Sequence, residues 1–100
     1  MTPTKEKIIA YLTEKKEDFF SNYQLIKLGL FGSFARGEES ENSDIDLIIE
    51  FLPQTSNLLE KKAEIKRQIK KEFNREVDVC REKYIKSYYK NQILKHVIYV

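Results

Sequence analysis

Apolar residues recur along this chain with two different periods. Ile8, Ile9, Leu12, Phe19, Phe20 and Tyr23 return at roughly helical spacing, and Thr2-Pro3 ahead of them has the form of an N-cap followed by a first-turn proline. The pattern predicts a helix from about 3 to 21. Leu28, Leu30 and Phe31 then predict a short strand ending at Gly32, and residues 33–36 open a short helix. Residues 38–43 are polar throughout and read as a loop. The strongest strand signal covers 44–51, where Ile45, Leu47 and Ile49 alternate with Asp44, Asp46 and Ile48; Pro53 ends it. Leu58, Ile65, Ile69 and Phe73 stripe a helix across 58–73 whose other positions are rich in lysine and glutamate. Residues 76–80 supply a third strand, and Ile85, Tyr89, Ile93, Val97 and Val100 predict a last helix running towards the C-terminus. The order α-β-α-β-α-β-α predicts an α/β (α+β) fold, a small mixed sheet with helices packed against it, as one domain over residues 1–100.

Composition narrows the classes. With 41% apolar and 34% charged residues, the chain has enough apolar surface to fold and is not a disordered segment. A net charge of +2 makes no electrostatic case for binding nucleic acid. No apolar run approaches a membrane span, and the first dozen residues lack the apolar stretch of a signal peptide, so a cytoplasmic protein is expected. The lone Cys80 cannot form an internal disulfide, fits a reducing compartment and reads as a small core residue. His96 reads as a helix-surface residue, and the helix around 61–71 as a solvated face with i,i+4 pairs. Of Tyr84, Tyr88 and Tyr89, Tyr89 is expected to pack and the others to be partly exposed; the alternative is that this segment contacts a partner.

The candidate chemistry lies at three places. Gly32-Ser33 sits where a strand turns into a helix, a place whose unpaired N–H groups suit phosphate; it is also a common turn with a serine cap. Asp44 and Asp46 are two apart on a strand, so they share a face with a rise of ~6.6 Å between them. Their mutual repulsion is relieved by a divalent cation, and oxygen ligands suit Mg²⁺ or Mn²⁺; the bland reading is two solvent-facing acids. Asp78, between Val77 and Val79, either joins the same surface or is an ordinary edge-strand acid. If it joins them, the three carboxylates complete a two-metal site with ions ~3.5–4 Å apart. A phosphate cradle next to a metal pair is hard to attribute to accident.

Phe31-Gly32-Ser33-Phe34-Ala35-Arg36-Gly37, Ser43-Asp44-Ile45-Asp46-Leu47, Val77-Asp78-Val79 and the ending Ile98-Tyr99-Val100 together closely resemble the minimal nucleotidyltransferases of the DNA polymerase beta-like superfamily. The resemblance covers nearly the whole chain. It implies a nucleotidyltransferase fold using two Mg²⁺ ions and ATP, and an antitoxin that transfers AMP to a tyrosine of a partner HEPN ribonuclease toxin. By the same resemblance Asp44, Asp46 and Asp78 are metal-binding and catalytic, and Gly32 and Ser33 grip the outer phosphates. Arg36 either balances triphosphate charge or pairs with Glu38 or Glu39. Two alternatives stand beside this: an antitoxin that masks its toxin sterically without catalysis, and nucleotidyl transfer to a small molecule.

Overall fold

The computed structural model describes residues 3–85, 93 and 95–100. In chain order the elements are helix α1 (Lys5–Tyr23), strand β1 (Leu25–Phe31), helix α2 (Gly32–Arg36), strand β2 (Ile45–Phe51), helix α3 (Leu58–Phe73), strand β3 (Val77–Arg81), a 3-10 turn (Glu82–Tyr84) and strand β4 (Ile98–Tyr99). The sheet runs β3-β2-β1-β4. β1 is antiparallel to β2 and to β4, and β2 is parallel to β3, so the sheet is mixed as expected. The parallel pair is reached through α3, the crossover that such a pair requires.

Helix α1 begins at Lys5 because Thr4 accepts a hydrogen bond from the Lys7 N–H at 3.2 Å. The helix therefore starts two residues later than the Thr2-Pro3 reading placed it; Thr2 itself lies outside the described residues. Helix α1 buries Ile8, Leu12, Phe19 and Tyr23, and α3 buries Ile65 and Ile69. The two helices meet through Tyr11 and Phe73, whose rings are 5.3 Å apart edge to face, and through Gln68, which donates to the Tyr23 hydroxyl. Together they cover one face of the sheet, which presents Leu28, Leu30, Ile45, Leu47, Ile49, Phe51, Val77 and Val79. Each fully buried Leu or Ile there contributes about 1.5–3 kcal/mol.

Strand alternation assigns Asp46, Ile48 and Glu50 to the second face. Register adds Phe31 and Gly29 from β1 and Asp78 and Cys80 from β3. Ile48 is fully buried although it points away from the two helices. It lies opposite Gly29, and on the other side of Gly29 runs the edge strand β4: a Cβ on Gly29 would stand 2.8 Å from Val97 Cγ1 and 3.0 Å from Tyr99 Cδ1.

The expected last helix does not reach the C-terminus. Ile98 and Tyr99 pair with Leu30 and Gly29, and the Val100 N–H donates to the Leu28 carbonyl at 2.9 Å. Val97-Ile98-Tyr99-Val100 is a run of strand-forming residues, and the edge of β1 offers it a ladder; the helical spacing of Val97 and Val100 was a subset of that run. Tyr89 lies outside the described residues. Glu82 fastens this end by pairing with Lys27 at 2.9 Å and accepting from the Tyr99 hydroxyl at 3.3 Å. Among the described residues no helix is long and apolar enough to cross a membrane.

Candidate active site

Register puts three of the candidate positions in a row. Phe31, immediately before Gly32, is opposite Asp46 on β1–β2, and Asp46 is opposite Asp78 on β2–β3. Neighbouring strands are ~4.8 Å apart, so the start of α2, then Asp46, then Asp78 follow one another across the sheet. Asp44 lies just before β2, two residues from Asp46. Val77 and Val79 are buried and Asp78 is exposed, so Asp78 does share the surface of the other acids.

Asp46 is half-buried, and its carboxyl is pushed up to about 6. Burial is the main cause; the charges of Asp78 and Asp44 add to it, and Arg36 opposes it. Asp44 and Asp78 are thus both within electrostatic reach of Asp46. Gly32 makes the arrangement sterically possible. Its φ of +75° is one that side chains disfavour, and a Cβ there would run into Asp46 Oδ2. The sequence reading reserved that space for phosphate; in the structure the first group to approach is the Asp46 carboxylate. Ser33, in the first turn of α2, is partly exposed. Arg36 donates from Nε to Glu38 at 3.0 Å, as the ion-pair alternative had it, while its charge also acts on Asp46.

Several contributors were missed by sequence reasoning. Arg75 donates to the Ser43 carbonyl at 2.6 Å and the Ser40 carbonyl at 3.2 Å, and its guanidinium lies over the Phe34 ring. The Ile45 N–H donates to the Glu76 carbonyl at 2.9 Å. These contacts hold the polar loop that delivers Asp44. Glu50 accepts from Arg81 Nε and Nη2 at 2.9 and 2.8 Å and from the Lys83 N–H at 3.0 Å. No spacing in the sequence announces partners more than thirty residues apart.

Other expectations need adjustment. Cys80 is not part of the main core. It sits on the acid-bearing face with Sγ 3.7 Å from Asp78 Oδ2, and burial followed by the Asp78 charge raises its thiol pKa. On α3 the ion pair is Glu64–Arg67 at i,i+3, and Lys70 reaches beyond the helix to Glu76. His96 is exposed in a turn rather than on a helix. Tyr84 is 68% exposed, and Tyr88 and Tyr89 lie outside the described residues.

Two clefts flank the acids. One of about 430 Å³ runs from Asp78 along β3 and is lined by Lys62, Cys80, Arg81, Tyr84, Ile85 and Ile93 among others. The other, about 330 Å³, lies beside Asp44 between the polar loop and the end of α3 and includes Lys70, Asn74 and Arg75.

Among the described residues no group of three or more His, Cys, Asp or Glu side chains is set to hold a metal ion as it stands. The donor set nonetheless suits a hard divalent cation such as Mg²⁺. All three side chains end in carboxylate oxygens, their charges repel, and Asp78 and Asp46 are strand neighbours. The missing Cβ of Gly32 keeps room for Asp46 Oδ2.

The chain matches the nucleotidyltransferase domain family over residues 12–100. It is similar to the protein adenylyltransferase MntA of Thermococcus cleftensis, with 31% identity over 97 residues, covering 97% of this chain and 96% of that protein. A Methanocaldococcus jannaschii protein provisionally assigned as a protein adenylyltransferase is 33% identical over 98 residues, covering 97% and 98%. Among solved structures, one provisionally assigned as a minimal nucleotidyltransferase aligns with TM-score 0.77 and 26% identity over 96% of this chain and 95% of that one. A toxin–antitoxin crystallised with AMP-PNP shares the fold, with TM-score 0.66 and 19% identity over 86% of this chain and 69% of that one.

Proposed function

This chain belongs to the nucleotidyltransferase domain family, and on that premise we propose that it transfers AMP from ATP to a protein hydroxyl and thereby acts as an antitoxin. The acceptor in this reading is a tyrosine of a partner HEPN ribonuclease toxin. The observation that carries it is the row Gly32, Asp46, Asp78 across one sheet face, with Asp44 alongside and the Asp46 carboxyl raised by burial and, after that, by Asp78 and Asp44.

Asp44, Asp46 and Asp78 are the residues that would hold two Mg²⁺ ions. Bound there, such ions neutralise triphosphate charge and polarise the phosphorus under attack. Gly32 and Ser33, on the β1 side, take the outer phosphates. Arg36 balances their charge; its exposed pair with Glu38 is worth about 0–1 kcal/mol and exchanges readily for a phosphate. Asp78, on the β3 side, receives the proton of the attacking hydroxyl. A new O–P bond forms at the α-phosphorus, the bond to the β-phosphate bridging oxygen breaks, and pyrophosphate leaves. Positioning and charge neutralisation carry most of the rate.

The test is a mass measurement on a co-expressed partner protein incubated with this chain, ATP and Mg²⁺. A gain of AMP on a partner tyrosine that Asp46→Asn abolishes is expected. Neutralisation of the partner without any change in mass would favour steric masking instead.

A further inference from the structure

The sheet ends differently at its two edges. On one side β4 offers two residues, Ile98 and Tyr99. On the other side β3 offers five, Val77–Arg81, and among the described residues β2 is its one strand neighbour. The Ile45 N–H donates to the Glu76 carbonyl, so alternation turns the main chain of Glu76, Asp78 and Cys80 towards β2. The N–H and C=O groups of Val77 and Val79 therefore point outward. A strand edge of this kind is a template for another extended chain.

This edge has a charged flank and an apolar one. Lys62, Lys66 and Lys70 follow one another at i,i+4 along α3. Lys70 reaches Glu76, just before β3, at 2.7 Å. Lys66 acts on the same carboxyl, after Lys70, in holding it below its ordinary range. Lys62 lines the cleft of about 430 Å³ that runs along the later part of the strand. The lysine row thus follows β3 along its length. Among the described residues Lys62 and Lys66 make no ion pair. The opposite flank carries Asp78 and the apolar wall of Tyr84, Ile85 and Ile93.

We propose that the outer edge of β3 docks an extended acidic segment of a partner protein, which joins the sheet as a fifth strand with carboxylates against Lys62, Lys66 and Lys70 and apolar residues against Tyr84 and Ile93. The proposal takes from the reading above only that this chain has a protein partner, and it concerns how that partner is held. The spacings agree. Lysines at i,i+4 are ~6 Å apart along a helix, and alternate residues of a strand are ~6.6 Å apart, so three carboxylates on one strand face meet three ammonium groups with little drift. The other face of the same strand meets the apolar wall and Asp78, where acids are disfavoured. Main-chain bonds to β3 supply affinity and the two flanks supply selection. A second copy of this chain paired edge to edge would bring two lysine rows together, which opposes it.

The probe is a fluorescein-labelled peptide, Gly-Glu-Val-Glu-Val-Glu-Val-Gly, beside a version with lysine in place of glutamate, each titrated with the wild-type chain without ATP or Mg²⁺. The glutamate peptide is expected to bind and the lysine peptide not. Hydrogen exchange at the Val77 and Val79 N–H groups should slow on binding, while that at Tyr99, on the opposite edge, stays the same. Lys62→Glu combined with Lys66→Glu should raise Kd about tenfold. Lys62→Arg combined with Lys66→Arg should keep the wild-type value, and thermal midpoints report that both variants fold. Two further peptides carry N-methyl groups on alternate amides, one in each register. One should bind like the parent and the other about tenfold more weakly, because only one set of amides faces β3. Failure of the glutamate peptide to bind, equal binding of the lysine peptide, or equal affinities for the two methylated peptides would overturn the proposal, whatever the folding of the variants. Dimerisation of the chain that protects Val77 and Val79 without peptide would overturn it in favour of a second copy. None of these measurements depends on AMP transfer, so a failure of the transfer reading is seen separately.

Discussion

Asp46 and Glu50 stand on the same strand and the same face, one on each side of Ile48, and their carboxyls shift in opposite directions. Burial pushes both upward. At Glu50 it is outweighed by hydrogen bonds from the Phe51 N–H, the Arg81 side chain and the Lys83 N–H, which together pull the carboxyl below its ordinary range. At Asp46 the neighbours are Asp78 and Asp44, and the carboxyl rises to about 6. Fold closure uses the first arrangement: Glu50 and Arg81 are 16% and 13% exposed and tie the start of the 3-10 turn to the sheet. The second has no structural benefit by itself and becomes favourable when positive charge arrives. A site for a cation and a triphosphate is distinguished from a structural ion pair by what surrounds the carboxylate, since both occupy equivalent places on one strand.

The comparison can be broken most severely at its acidic end. Asp46→Asn should reduce AMP transfer on the order of a thousandfold or more, because it removes electrostatic stabilisation at the reacting phosphorus. The same substitution should leave the metal-free fold as stable as wild type or more so at neutral pH. The folded Asp46 carboxyl titrates above the ordinary value of 3.8, so ionising it costs stability as pH rises through about 6. Urea unfolding at acidic and neutral pH, compared between wild type and variant, measures that slope. Transfer at the wild-type rate would remove Asp46 from the mechanism.

Glu50→Gln tests the other end. Removing one member of a largely buried pair leaves Arg81 uncompensated and should cost about 3 kcal/mol. The pH dependence has the opposite sign. Because the folded Glu50 carboxyl lies below its ordinary value of 4.5, its contribution is present above that value and is lost as pH falls through the folded one. Denaturant midpoints across the acid range read both effects, and an unchanged midpoint would show the pair to be ornamental.

Gly32→Ala sharpens the comparison at the point where backbone meets carboxylate. The added Cβ must displace Asp46 Oδ2 and sit at a φ of +75°. A stability loss of about 1–3 kcal/mol is expected, together with weaker AMP-PNP binding. Arg75→Ala should have the smallest effect. It frees the Ser40 and Ser43 carbonyls and loosens the loop before Asp44, with a drop of about tenfold in kcat and little change in the thermal midpoint. A kcat equal to wild type would mean that the loop holds Asp44 without Arg75.

Most of the elements were legible in the sequence because they rest on local periodicity. The stripe of Leu58, Ile65, Ile69 and Phe73 marked α3 with its observed ends, and the alternation across β2 placed Asp46 and Ile48 on one face. Flanking by Val77 and Val79 was enough to turn Asp78 towards that face. The C-terminal strand was hidden because Val97 and Val100 also fit a helical period, and what decides between the two is a ladder offered by β1 some seventy residues earlier. Arg75, the Glu50–Arg81 pair and the place of Lys62 in the cleft were illegible for the same reason. Each depends on elements far apart in the chain meeting at one edge of the sheet.

The central claim is that Asp46, raised by burial and further by its acidic neighbours, is relieved by a divalent cation beside bound triphosphate. A carboxyl-carbon NMR titration of Asp46, with and without Mg²⁺ and AMP-PNP, tests it most directly. The account predicts a titration near 6 for the protein alone, falling below the ordinary value of 3.8 when both are added. An Asp46 that titrates at its ordinary value alone, or that does not respond to Mg²⁺ and AMP-PNP, would contradict it.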